Sequence, residues 1–164
     1  MLTVSQINAL FHYSDGQLIW KVSPCNSVRI GDVAGFERGP YLGLRFMRKK
    51  YMLHRIIFLL HHGFLPDCID HIDGDKRNNR IENLRQVTFS QNQMNRGKQR
   101  NNTSGFKGVS WHSDVSKWGA AIKINGKQKH LGYFQTAEAA YQSYLASSEI
   151  FHGIYRPIEL RAAK

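Results

Sequence analysis

At 164 residues the chain is long enough for one ordinary domain or two small ones. Its 41% hydrophobic and 21% charged residues exclude a disordered polyelectrolyte, and the best apolar run, Ile56 to Leu60, is far too short to span a bilayer. A net charge of +11 suits a polyanionic partner, because each Lys or Arg placed on a phosphate releases condensed counterions.

Taken in chain order, Gln17–Trp20 and Tyr41–Phe46 read as short strands punctuated by Gly16, Gly31, Gly35 and Gly39. A strand near Lys50–Leu53 leads into an apolar helix, His54 to Gly63, closed by Gly63 and Pro66. Ile69–Ile72 is a strand opening into a polar loop, Leu84–Thr88 a returning strand, and Ser90–Arg96 a helix with Ser90 as its N-cap. Gly97 to Ser104 holds no apolar residue and reads as an exposed basic linker. Beyond it, Lys107–Trp111, Lys117–Ile124 and Lys127–Phe134 read as three strands, the last two joined by a tight Asn125-Gly126 turn. A helix then starts after Thr136 as N-cap and runs to about His152-Gly153. Basic residues recur along the chain, from Arg45, Arg48, Lys49 and Lys50 to Lys123, Lys127 and Lys129, which favours a broad contact surface over a charged tail. Only Cys25 and Cys68 are present, without CxxC spacing, so neither a zinc ribbon nor a disulfide framework is expected. The start Met1-Leu-Thr-Val-Ser-Gln has neither the basic beginning nor the apolar core of a signal peptide, and an intracellular protein is expected.

The densest polar constellation runs from Asp70-His71-Ile-Asp-Gly-Asp to Asn83-Leu84, followed by Ser90-Gln-Asn92. A carboxylate beside a histidine at a strand end offers a hard oxygen ligand next to a titratable base. Phosphodiester hydrolysis asks for those parts: a cation on the phosphate and a base for the attacking water. Mg²⁺ needs few protein ligands, since water and substrate phosphate supply the rest. A calcium loop fails, because placing Gly74 at the obligatory glycine puts Ile69 and Arg80 where carboxylates belong. HExxH and GxxxxGK are absent. Since Asp, Asn and Gly are also common turn formers, the residues alone leave a metal site and a structured polar loop both open.

His54-Arg55, Asp70-His71-Ile-Asp-Gly-Asp, Asn78-Asn79-Arg80, Asn83-Leu84 and Ser90-Gln91-Asn92, in that order, resemble the HNH homing endonucleases of phages and bacteria. The resemblance implies a ββα-metal fold, with Asp70 as a metal ligand and His71 as the general base. It makes Asn83 the asparagine that pins the loop, with Asn78 or Asn79 as alternatives, and Asn92 the second metal ligand. That last position is His in many relatives and Asn in others. His54 matches a recurrent His-Arg pair with a structural role. One divalent ion is implied, Mg²⁺ first and Mn²⁺ second, with double-stranded DNA as partner and the cytoplasm of a bacterial host as location. His12, His61, His62, His112 and His152 lack such context and read as surface or packing residues.

In the C-terminal stretch, alternation puts Trp118, Ala120, Ile122 and Ile124 on one face, while Lys117, Ala121 and Lys123 share the other with Gln128 and His130. Periodicity alone is met equally by a solvated strand face. Gly105-Phe-Lys-Gly-Val, Lys117-Trp-Gly-Ala-Ala-Ile, Leu131-Gly-Tyr-Phe and Thr136-Ala-Glu-Ala-Ala-Tyr resemble the Apetala or ethylene-response-factor type of DNA-binding domain. By position, Lys107, Lys117, Lys123, Gln128 and His130 are its DNA contacts. Ser110, Ala121 and His130 stand where the plant domains carry base-reading Arg and Trp, so phosphate contact is implied rather than the plant target sequence.

The sequence therefore predicts an α+β protein: a ββα-metal nuclease domain over residues 1–96, a linker over 97–103, and a three-stranded antiparallel sheet packed on one helix over 104–164. The expected activity is metal-dependent endonucleolytic cleavage of duplex DNA. A single site per chain favours nicking by a monomer over a dimeric double-strand break. The alternatives are a non-catalytic DNA-binding protein with a degenerate nuclease motif and an RNA-directed protein.

Overall fold

The computed structural model describes residues 2–95, 97–98 and 101–156. The expected helix end at Arg96, Gln99 and Arg100 of the linker, and residues 157–164 of the expected binding domain lie outside them. The chain forms two compact units, residues 1–87 and 88–164. Both mix helix with small antiparallel sheets. Among the described residues no helix is long and apolar enough to cross a membrane.

The first unit opens with α1 (Val4–Leu10), which the apolar pattern does not reveal. Its seven residues are too few to persist alone. Thr3 and Gln6 close a reciprocal capping box at its start, and Ile7 anchors it in the core. Next come β1 (Phe11–Ser14), β2 (Gln17–Trp20) and β3 (Val33–Ala34) as one sheet, then β4 (Phe36–Arg38), β5 (Tyr41–Phe46) and β6 (Lys49–Met52) as another. Asp15-Gly16, both at positive φ, form the tight β1–β2 turn. The expected strand before the helix is one residue early, as β6, and α2 spans Leu53–His62. Gly63, in the left-handed region, caps α2 by donating its N–H to Leu59 O. The buried residues of α2 (Leu53, Ile56, Ile57, Phe58) meet Phe11, Leu18, Trp20 and Leu44 in one core. β7 (Cys68–His71) and β8 (Leu84–Val87) close the unit as an antiparallel pair.

The second unit begins with α3 (Phe89–Asn95). Its cap is Thr88, not the expected Ser90: Gln91 N–H donates to Thr88 Oγ1 while Thr88 N–H donates to Gln91 Oε1. The reciprocal pair ties down two backbone donors, which no single Ser does. β9 (Val109–His112), β10 (Lys117–Ile124) and β11 (Lys127–Phe134) form a sheet in the order β11-β10-β9, and α4 (Ala137–His152) packs on it. The first strand starts two residues later than expected, because Phe106–Gly108 form a turn there. Thr136 caps α4 as its sequence predicts. Ala120, Ala137 and Ala140 keep helix and sheet close, and Phe106, Trp118, Leu131, Phe134 and Tyr141 pack around them.

Candidate active site

Strand pairing sets the first geometry of the site. β7 and β8 place Asp70 opposite Arg85 and His71 opposite Leu84. Arg85 donates from Nε (2.9 Å) and Nη2 (2.7 Å) to one oxygen, Oδ2, of Asp70. Both side chains are largely buried, at 15% and 7% exposure, so the pair is far less screened than a surface salt bridge.

The loop between the strands is organised on Asp73. Its carboxylate accepts from Asn83 Nδ2 (2.9 Å), Asn78 Nδ2 (2.6 Å) and Asp75 N–H (2.9 Å). Burial opposes ionisation of Asp73, but these donors outweigh it and hold its carboxyl below the usual range. Asn83 also accepts from Asp73 N–H (3.0 Å) and donates to Asn78 O (2.8 Å). Asn83 is thus fastened at several points across the loop, with Asn78 assisting through Asp73.

Asn79 has a different job. It is 1% exposed, and its Oδ1 accepts a hydrogen bond from His71 Nε2 (3.1 Å). An amide oxygen can only accept, so Nε2 is the donor in this bond, and Nδ1 is the nitrogen with a lone pair whenever the ring is neutral. The backbone around Asn79 is buttressed by the N-terminal hairpin. Ile81 N–H donates to Tyr13 OH (3.0 Å), Arg80 pairs with Asp15 (2.6 Å), and Gly16 lies against the Asn79–Arg80 backbone.

Aromatic rings wall His71. The His54 ring meets it edge-on with centroids 5.2 Å apart, and Tyr41 lies 5.5 Å from His54 and 6.1 Å from His71. Lys76 Nζ sits 5.2 Å over the Tyr41 ring. Burial, then the neighbouring His71 and Arg55, push the pKa of His54 down from 6.5 to about 4. His54 Nδ1 is buried without a hydrogen-bond partner. A neutral ring fits that setting.

This shift carries a stability prediction. The unfolded chain binds a proton on His54 near pH 6.5, whereas the folded chain does so only near pH 4. Stability therefore falls as pH drops through that window, by about 2 kcal/mol between pH 7 and pH 5. Urea unfolding of wild type and His54→Gln at the two pH values checks this: the variant loses that increment of pH dependence. An unchanged difference would show His54 already ionised or exposed.

Asn92 lies on α3, in the second unit, half-buried, with its backbone N–H on Thr88 O (3.0 Å). In that unit the register of the sheet puts Lys117, Ala121 and Lys123 on one face, with His130 opposite Ala121 and Gln128 opposite Lys123. Lys123, Gln128 and His130 are exposed. The same face carries His112 and Tyr133, whose rings are 5.2 Å apart, and Tyr133 is 4.5 Å from His130. Lys107 is elsewhere: its ammonium donates to Met94 O (2.8 Å) at the end of α3. His152 is a packing residue, buried and donating from Nε2 to Lys123 O (2.9 Å).

Among the described residues no three His, Cys, Asp or Glu side chains converge as a metal cage. The Asp70 carboxylate nonetheless fits a divalent cation as a nearly buried hard oxygen donor, which such an ion would have to share with Arg85. Sequence reasoning missed Arg85 and Tyr41, and named Asn79 only as an alternative to Asn83 for pinning the loop, not as the partner of His71. Counting an antiparallel register outward from the loop is the signal that pairs Asp70 with Arg85.

Residues 51–94, which carry β7, its loop and β8, match the HNH endonuclease family. The chain belongs to that family. It is 34% identical over 85 residues to Protein 3.8 of Escherichia phage T7, a match covering 52% of this chain and 69% of that protein. It is 37% identical over 106 residues to the uncharacterized HNH endonuclease L560 of Acanthamoeba polyphaga mimivirus, covering 62% of this chain and 54% of that protein. No solved structure matches the chain.

Proposed function

We propose that the protein is a metal-dependent endonuclease that hydrolyses phosphodiester bonds of duplex DNA, of the homing-endonuclease kind, and that its C-terminal unit is a DNA-binding domain of the Apetala type. The observation that carries the first reading is the buried His71–Asn79 hydrogen bond, one residue along the strand from the buried Asp70 carboxylate. A structured polar loop has no need of a buried, oriented imidazole at the end of the strand that also buries a carboxylate. In the proposed reaction His71 Nδ1 takes a proton from the attacking water, and Asn79 keeps the ring in the tautomer that allows it. Asp70 holds the divalent cation, Mg²⁺ or Mn²⁺, and Asn92 is the second ligand by family resemblance. When bound, that ion neutralises charge developing on the phosphate and the departing 3′ oxygen. Asn83 acts through the loop, holding Asp73 and the turn after His71.

Supercoiled plasmid incubated with the protein and Mg²⁺ or Mn²⁺ is expected to be nicked, and chelation is expected to stop it. Tight, salt-sensitive DNA binding without cleavage under either metal would favour the non-catalytic alternative.

For the second unit, the exposed basic face of β10 and β11 supports phosphate contact in a DNA groove. Lys117, Lys123, Gln128 and His130 are its proposed contacts. Lys107 belongs to the same proposal by resemblance, although its ammonium is engaged at α3. Each Lys on a phosphate contributes about 0.9 to the slope of log K against log salt. The Lys117→Ala, Lys123→Ala double variant is expected to flatten that slope by about 2. A wild-type slope would remove this face from the interface.

A further inference from the structure

The Arg85–Asp70 pair has a consequence beyond holding two strands in register. Two N–H donors of one guanidinium converge on Oδ2 of Asp70, and the pair is shielded from water. A guanidinium never loses its charge at working pH. It therefore already supplies the positive charge that a divalent ion would bring to this carboxylate. An ion approaching Asp70 meets Arg85 as a like charge at close range, in surroundings where screening is poor. A phosphate changes that balance, because it offers Arg85 a second anionic partner with geometry suited to its fork.

We propose that Arg85 is the resident counter-ion of Asp70: it stabilises the carboxylate in the metal-free protein and keeps divalent-cation affinity low until a DNA phosphate arrives. This inference rests on the nuclease reading above and assigns Arg85 a positioning role. Its logic separates it from plain structural support. A merely structural arginine, once removed, leaves Asp70 misplaced and weakens metal binding. A resident counter-ion, once removed, leaves a carboxylate in need of a cation and strengthens it.

The test is Mn²⁺ binding to the full-length protein without DNA, followed by electron paramagnetic resonance of free Mn²⁺, with thermal unfolding in parallel. Arg85→Gln is expected to bind Mn²⁺ about tenfold more tightly than wild type. Its melting temperature, low without metal, is expected to rise with Mn²⁺ by more than that of wild type. Adding Asp70→Asn to Arg85→Gln is expected to abolish both gains. If Arg85→Gln does not fold, Arg85→Met decides, because it removes the charge while keeping the length and apolar stem of the side chain. It too is expected to bind Mn²⁺ more tightly than wild type.

Equal or weaker Mn²⁺ binding in the variant that folds would overturn the inference. So would a gain that survives Asp70→Asn. Wild-type plasmid cleavage with Mn²⁺ in either of those cases would leave the nuclease reading standing. Absence of cleavage together with absence of Mn²⁺ binding in every variant would overturn both.

Discussion

His71→Ala is expected to lower the rate of DNA cleavage by about 10²- to 10⁴-fold, the usual contribution of a positioned general base. His71 is 4% exposed, hydrogen-bonded through Nε2 to Asn79, and walled by His54 and Tyr41, so its orientation is determined on several sides. Alanine removes the proton acceptor and leaves a small cavity against those rings. The cavity costs stability, so His71→Gln, which fills more of the space but accepts protons poorly, belongs in the same experiment. Both variants are expected to keep salt-sensitive DNA binding, because the proposed binding face lies in the other unit. Asn79→Ala should fall between wild type and His71→Ala: the imidazole remains but is no longer held in one tautomer. Plasmid nicking at saturating Mg²⁺ reads the rate. Equal cleavage by wild type and both His71 variants would place the base elsewhere.

The contrast between Asn79 and Asn83 shows where sequence reading reaches its limit. Asp70-His71 and the downstream asparagines are legible as a constellation because their order is specific. Which asparagine does what is not, because Asn78, Asn79 and Asn83 have the same chemistry and occupy one irregular loop. Only the path of that loop turns Asn83 back onto Asp73 and points Asn79 at His71. Arg85 is hidden for a different reason: it looks like any charged residue on a strand until the register sets it opposite Asp70. In the second unit the bounds of β10, β11 and the start of α4 are readable residue for residue from the Asn125-Gly126 turn and the Thr136 cap. A register shift between Ala120 and Ala121, by contrast, breaks the alternation of β11 and brings Tyr133 onto the face of His130. In the first unit α1, β1, β3 and β4 are not. Each is short, and packing around Phe11, Trp20 and α2 holds them more than any local preference does.

The hairpin that sequence patterning overlooks leads to the second large effect, in Gly16→Ala. Gly16 sits at φ +83, where alanine is strained. A Cβ there would lie 2.7 Å from Arg80 N and 3.0 Å from the carbonyl carbon of Asn79. Those are backbone atoms, so no rotamer change relieves the contact. Strain from a positive φ costs about 1–2 kcal/mol and overpacking about 1–3 kcal/mol, so a loss of about 2–5 kcal/mol in stability is expected. The more informative loss is in activity. Parting the hairpin from Arg80 also moves Asn79, the residue that holds His71, so nicking should slow even at temperatures where the variant stays folded. Asp15→Asn is the control. Asn tolerates the same left-handed backbone at position 15, and the exposed Asp15–Arg80 pair it removes is worth about 1 kcal/mol at most. Thermal unfolding and plasmid nicking of the two variants therefore separate the backbone contact from the charge. Wild-type nicking by folded Gly16→Ala would mean that Asn79 is held by its own loop, through Asp73 and Asn83, and that the hairpin contributes only to stability.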